Sequence, residues 1–222
     1  MDSGSRTLPS RVVAYRAPRM TWMGALVTFF PAYVVLLALG AIVWFAMRPG
    51  LLPLVTLLSS LYVFPLVAYR LHALAFPLSE GGSFLVGGDY SAWYGGHRIQ
   101  VIYIAIPALE ALLRTVPGLY SAWLRLWGSK IGRDVYWTPQ VDIADRGLVE
   151  IGDGVLFGHR AGVISHVIKP SRENLFLYVK KVKIGDGAFI GAGSYIGPGV
   201  VVEARAMVPV ATNVYPKQRI KR

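Results

Sequence analysis

The chain has 222 residues, 54% of them hydrophobic and only 16% charged, with a net charge of +11 and a mean hydropathy of +0.47. A soluble domain averages roughly 45–50% apolar and about 25% charged residues, so this composition excludes a disordered chain and argues against an ordinary soluble globule. Cysteine is absent, which excludes a disulfide framework, a thiolate nucleophile and a Cys-based zinc site. The basic balance suits an anionic membrane surface or a polyanionic co-substrate. No nucleic-acid-binding motif accompanies the charge.

Residues 1–19 form a basic tail carrying Arg6, Arg11, Arg16 and Arg19 against Asp2 alone. No charged residue occurs between Arg19 and Arg48, a run of 28 positions, and a second uncharged run of 21 extends from Pro49 to Tyr69. About 20 helical residues cross the hydrocarbon core of a bilayer. Neither run shows the polar stripe of a surface helix, and only Arg48, Pro49 and Gly50 join them. Residues 20–78 therefore read as a transmembrane helical hairpin. The flanking Arg residues place both termini on the cytoplasmic side of a cell inner membrane.

Residues 79–130 are a third region. Three Gly pairs (Gly81–Gly82, Gly87–Gly88 and Gly95–Gly96) favour a loop over 79–98, with His97 inside it. Its aromatic residues Phe84, Tyr90, Trp93 and Tyr94 suit a headgroup zone. Residues 99–127 read as one or two interfacial helices. Glu110 and Arg114 are spaced to pair on one face.

From Ile131 the pattern changes to a period of six. The anchors Ile184, Ile190, Ile196, Val202, Val208 and Val214 follow one another without a break, and earlier sets begin at Ile131, Trp137, Ile143, Ile151, Phe157 and Val163. Glycine often follows the anchor, as in Gly152, Gly158, Gly185, Gly191 and Gly197. A hexad with an inward aliphatic residue and a tight turn gives one short strand and one corner, so three hexads close a triangular coil. Residues 131–222 thus predict a parallel β-helix of about four coils, with its N-terminal end against the membrane helices. Two residues, Val149 and Glu150, slip the register. The fifteen residues KPSRENLFLYVKKVK between Ile168 and Ile184 must leave the coil as a protruding loop, a favoured place for function.

Residues 131–216 resemble the left-handed β-helix (hexapeptide-repeat) acyltransferase superfamily. The stretch from GVISH through the loop to KVKIGDGAFIGAGSYIGPGV resembles its maltose-acetyltransferase-like branch. The resemblance implies a left-handed coil, a homotrimer, and acyl-CoA or acyl-carrier-protein phosphopantetheine as co-substrate, with no permanently bound cofactor. It places His166 on the catalytic histidine. Where that branch usually carries Thr-Lys before the final turn, this chain has Val208-Pro209-Val210, which weighs toward a carrier protein. A looser resemblance, through LYSAWLRLWGSKIGRDVYW, is to the C-terminal region of polylysine-synthetase-type peptide synthetases.

Acyl transfer needs a base for the acceptor's proton, an oxyanion donor and a means of holding both substrates together. Histidine titrates near pH 6.5, which suits the base. His166 is the first candidate and His159 the second. Stacking one coil on the next puts Asp145 beneath Ser165, where it can orient the imidazole. Glu173 and Asn174 are rivals for that role. The oxyanion donor is read as a backbone N–H at Gly191–Gly193. Gly191, Ala192, Gly193 and Gly199 permit close approach of a pantetheine arm, and cations such as Arg205 and Lys217 suit its phosphates. No metal site is expected, because a zinc-dependent reading of this fold needs three His and only His159 and His166 fall together.

The resulting expectation is a membrane-anchored acyltransferase. It would move an acyl group from a CoA or carrier-protein thioester to a hydroxyl or amine of an amphipathic or lipid-linked acceptor. An amide-forming transferase acting on carrier-bound groups and a non-catalytic trimeric scaffold are the alternatives.

Overall fold

The computed structural model describes residues 21–85, 89–171 and 174–222. The basic tail, Gly87–Gly88 and Glu173 lie outside the described residues.

Five helices precede the Gly-rich region or bridge it to the repeats in close contact: α1 (Trp22–Thr28), α2 (Phe30–Met47), α3 (Leu51–Leu58), α4 (Phe64–Ala75) and, after the Gly-rich segment, α5 (Ala92–Ala105). A π turn at Ser59–Val63 joins α3 to α4 into one continuous helix, Leu51–Ala75. Thr21 caps α1 by accepting from the Gly24 N–H, which satisfies one of the free donors at a helix start. α2 and Leu51–Ala75 are each long and apolar enough to cross a membrane. Their outer faces leave Leu36, Leu37, Leu52 and Leu74 exposed.

Residues 92–98, expected as loop, are the first turns of α5. The reason lies at Gly95 and Gly96. A Cβ at Gly95 would strike the Tyr90 hydroxyl and the His72 ring, and one at Gly96 would come within 3.3 Å of Tyr69. These glycines serve close helix packing rather than a turn. The preceding Gly81–Phe84 is strand β1. The segment 99–127 holds the end of α5 and two more helices, α6 (Ala108–Leu113) and α7 (Leu119–Trp127). α7 ends at Gly128, whose φ of 108° lies in the region glycine favours.

The repeats form a three-sided parallel β-helix. Its faces are five strands, β16 (Arg219–Ile220), β13 (Val201–Val202), β10 (Val182–Ile184), β5 (Val149–Ile151) and β2 (Lys130–Ile131); four strands, β14 (Met207–Val208), β11 (Phe189–Ile190), β6 (Leu156–Phe157) and β3 (Tyr136–Trp137); and four strands, β15 (Asn213–Val214), β12 (Tyr195–Ile196), β7 (Gly162–Val163) and β4 (Asp142–Ile143). The hexad anchors stack in register. Ile131, Ile151, Ile184, Val202 and Ile220 line one interior column. Ile143, Val163, Ile196 and Val214 line another. Trp137 and Phe157 stack at 4.8 Å and 7°. Near the C-terminus, strand β16 (Arg219–Ile220) pairs beside β13 (Val201–Val202).

The open edge of the first coil would leave carbonyl oxygens unpaired. The helices satisfy them: Arg125 donates to the carbonyls of Ile131 (2.9 Å) and Gly132 (2.7 Å), and Arg114 to that of Val141 (2.7 Å). Tyr120, Trp123, Leu124 and Trp127 of α7 are buried in the same core as Ile131 and Ile143.

Glu110 does not serve Arg114. It pairs with Arg146 through bonds of 2.6 and 2.8 Å, and both side chains are buried. Burial favours such a pair only when both partners stay engaged. Arg114 instead covers the Tyr120 ring.

The excursion after His166 is an antiparallel hairpin rather than a plain loop: β8 (His166–Ser171) and β9 (Asn174–Val179). β1 pairs with β9, so the Gly-rich segment is sewn to the hairpin. Val182–Ile184 is already back in the prism as β10.

Candidate active site

The hexad register places Asp145 one coil below Ser165. The Ser165 N–H donates to Asp145 Oδ2 at 2.9 Å, and His166 Nδ1 lies 2.7 Å from the same oxygen. A carboxylate only accepts, so the ring carries its proton on Nδ1 and presents Nε2 as an acceptor. α5 supplies the other wall. Trp93 Nε1 donates to Asp145 Oδ1 at 3.2 Å. Trp93 stacks on His97 at 4.9 Å and contacts His166 at 4.4 Å, and the two imidazoles are 5.2 Å apart.

The electrostatics follow from this packing. Burial pushes the Asp145 carboxyl up, but the His166 hydrogen bond, the two nearby imidazoles and the Trp93 donor outweigh it, and its pKa falls below the usual carboxylate range. Burial pushes His97 down to about 4, against the opposing pull of Asp145. His97 is therefore neutral at physiological pH. Its Nδ1 is buried without a hydrogen-bond partner, 4.0 Å from Asp145 Oδ1.

Asp145 is held from behind as well. Its neighbour Arg146 receives Glu110, its own backbone N–H donates to Gln100 Oε1 at 2.8 Å, and its carbonyl accepts from Ser129 at 2.6 Å. Helices α5 and α6 thus fix the corner that carries the carboxylate.

Beside His97 lies a cavity of about 340 Å³. It sits between α1, the segment Asp89–Ser91, α5 and the hairpin, with Leu85, Tyr94, Ile168 and Leu175 among its walls. Arg98 donates to the Thr28 carbonyl at its rim, at 2.6 Å.

The residues expected at the site divide among three corners of the prism. His166, Asp145, Gly199 and Lys217 share one. His159, Gly191, Ala192 and Gly193 occupy the next, and Arg205 the third. His159 is exposed, and its carbonyl accepts from Gly193. The N–H of Gly191 is likewise taken, by Val208, so neither glycine N–H is free for an oxyanion. Gly199 donates to Lys180, and Lys217 lies 4.7 Å over the Tyr178 ring. Asn174 sits at the hairpin's far end, five ladder steps from His166, and its side-chain oxygen accepts from Leu175 N–H.

Sequence reading missed His97 and Trp93. Both fall in the segment whose glycines favour a loop, yet their i, i+4 spacing puts them on one face of α5, and that spacing is the signal in the sequence. His97, Asp145 and His166 also offer three ligand atoms within 4.8 Å of one another. This cluster joins His166 to His97 and Asp145, and His159 is not part of it. Asp145 Oδ2 lies within hydrogen-bond distance of the Ser165 N–H and His166 Nδ1, and Oδ1 accepts from Trp93, while His97 Nδ1 has no hydrogen-bond partner.

Residues 181–215 match the family described as the hexapeptide repeat of succinyl-transferase. Delta-poly-L-ornithine synthetase of Acinetobacter baumannii (strain AB307-0294) is 23% identical over 151 residues, 65% of this chain, and the chain spans only 10% of that protein's length. Three solved structures resemble the chain at low overlap. A hexapeptide-repeat containing acetyltransferase of Vibrio cholerae has a TM-score of 0.36 at 16% identity, over 54% of this chain and 90% of that one. The same kind of acetyltransferase complexed with acetyl-CoA, from Vibrio cholerae O1 biovar eltor, has a TM-score of 0.39 at 20% identity, over 56% and 87%. Serine acetyltransferase isoform 3 with cysteine, from Entamoeba histolytica, has a TM-score of 0.32 at 12% identity, over 95% and 83%. The stretch 181–215 thus matches a hexapeptide-repeat family, and it lies within the parallel β-helix.

Proposed function

We propose that the chain is a membrane-anchored acyltransferase. It moves an acyl group from a CoA or carrier-protein thioester to a hydroxyl or amine of an amphipathic or lipid-linked acceptor. The observation that carries this reading is the 2.7 Å bond between His166 Nδ1 and Asp145 Oδ2, which leaves Nε2 as a free acceptor.

In the proposed mechanism Nε2 removes the acceptor's proton as its oxygen or nitrogen attacks the thioester carbon. Asp145 stabilises the imidazolium that forms and keeps the ring in the working tautomer. The proton then passes to the departing thiolate. Trp93 and the Glu110–Arg146 pair hold Asp145 in place.

α2 and Leu51–Ala75 are the proposed spans, both termini lie on the cytoplasmic face of the inner membrane, and the prism assembles as a left-handed homotrimer. Gly199, Lys217 and Arg205 are the proposed contacts for the pantetheine arm and its phosphates. An amide-forming transferase is the second reading, favoured by the likeness to delta-poly-L-ornithine synthetase.

The test uses the full chain in native membranes, supplied with acetyl-CoA or acetyl-carrier protein. Thiol release with either donor, and a lipid or pathway intermediate that loses its acyl group when the gene is removed, support the reading. A chain that assembles as a trimer and releases no thiol is a scaffold.

A further inference from the structure

A groove of about 620 Å³ runs between α6, α7 and the first corner of the prism. It shares no wall residue with the cavity beside His97, and the mechanism above does not use it. Its volume falls in the range of small-molecule sites, about 300–1,000 Å³.

Three arginines line this groove: Arg114, Arg125 and Arg133. Arg114 and Arg125 donate to the carbonyls of Val141, Ile131 and Gly132, and Arg114 also covers the Tyr120 ring. A carbonyl satisfies an N–H but does not neutralise a guanidinium. The Arg133 side chain is exposed and has no partner among the described residues. The acids closest in the fold are engaged elsewhere: Glu110 holds Arg146, and Asp153 accepts from the Arg133 backbone. Asp134 is the one acid in the wall, so three positive charges face one negative. A concave wall of one sign concentrates the counter-ion, and guanidinium matches phosphate oxygens with paired N–H groups.

The surroundings of the groove are apolar. Leu112, Val116 and Leu119, in and around the turn between α6 and α7, are all exposed, and Val116 is part of the wall. The same helices lie against the second proposed span. The Tyr62 hydroxyl donates to the Leu109 carbonyl at 2.8 Å, and the Tyr62 ring meets Trp123 edge-on at 5.7 Å.

We infer that this groove binds the phosphate of an anionic lipid, with the acyl chains lying over Leu112, Val116 and Leu119. A basic pocket beside membrane helices on the cytoplasmic side suits such a headgroup. Arg114 and Arg125, fixed by their carbonyls, supply standing charge, and Arg133 is free to close on the phosphate. The inference rests on the reading of α2 and Leu51–Ala75 as membrane segments and does not depend on acyl transfer.

The experiment titrates the full chain, purified in a neutral detergent, with dioctanoyl phosphatidylglycerol, dioctanoyl phosphatidylcholine and inorganic phosphate. Tryptophan fluorescence reports binding, because Trp137 lines the groove. Expected is at least ~10-fold tighter binding of phosphatidylglycerol than of phosphatidylcholine, with the difference shrinking at high salt. Arg133→Gln removes most of that preference at an unchanged melting temperature. Lys221→Gln, the same loss of charge at the C-terminus, keeps it. Equal binding of the two lipids, or a preference that survives in Arg133→Gln, overturns the inference. Inorganic phosphate that binds as tightly as phosphatidylglycerol also overturns it, since the groove then serves a soluble phosphate. A chain that leaves membranes in an alkaline carbonate wash yet keeps the lipid preference counts against the spans and leaves the lipid site standing.

Discussion

Glu110 on α6 grips Arg146, the residue next to Asp145, through two bonds of 2.6 and 2.8 Å inside the protein. Arg146 is fully buried; burial opposes its charge, but the charge and hydrogen bond of Glu110 outweigh it and its pKa is raised. The helical front of the chain thereby sets the position of a carboxylate in the repeat domain. Glu110→Gln leaves the guanidinium unpaired, and breaking a buried pair in this way costs about 3–5 kcal/mol. Denaturant melts measure the loss. Glu110→Leu with Arg146→Met recovers much of it, because an apolar replacement of both partners leaves no orphan charge.

Asp145→Asn preserves the shape of the corner but gives His166 no charge to stabilise its imidazolium, and the amide can offer the ring the wrong partner. Acyl transfer falls by about 10²–10⁴-fold on the scale of a lost acid–base group. Circular dichroism and the size of the assembly stay as in the parent. Steady-state kinetics with the natural acceptor provide the measurement, and the loss appears in kcat more than in KM.

Stability depends on acid through His97. The unfolded ring titrates near 6.5 and the buried one at about 4, so between those values the unfolded chain binds more protons. Stability therefore falls as pH drops through that window. Asp145, whose pKa is lowered, adds a further loss below the ordinary carboxylate range. In His97→Gln, melts from pH 7 to pH 4 show a shallower decline than in the parent.

The prism could be read from the sequence because its period repeats in space. Ile184, Ile190 and Ile196 each close a strand, and the same stacking rule that aligns Ile143 with Val163 puts Asp145 under Ser165. His97 could not be found that way. It reaches the site only because α5 docks across the first coils, and docking leaves no period in the chain. Gly95 and Gly96 misled for a related reason, since local propensity reads glycine as a turn while here His72, Tyr90 and Tyr69 need the space. Glu110 has Arg114 at helical spacing, yet its partner lies 36 residues away in a hexad corner.

Gly158 sits where the next coil's backbone passes. A Cβ there would lie 2.7 Å from Ala192 Cα, and backbone cannot step aside as a side-chain tip can. Gly158→Ala costs about 1–3 kcal/mol, typical of overpacking, read as a lower melting temperature.

The apolar outer faces of α2 and Leu51–Ala75 make a separate prediction. Leu39 is about half exposed near the middle of α2. An Arg placed at the centre of a span costs about 2.5–3.5 kcal/mol on insertion scales. The parent chain stays with membranes through an alkaline carbonate wash, and Leu39→Arg raises the fraction released.

The central claim is that His166 Nε2 takes the acceptor's proton. The direct measurement is thiol release by purified His166→Ala beside the parent, at matched donor and acceptor. The account predicts a loss of at least ~100-fold with the assembly size and melting temperature retained. A variant that transfers acyl groups at the parent's rate would contradict it.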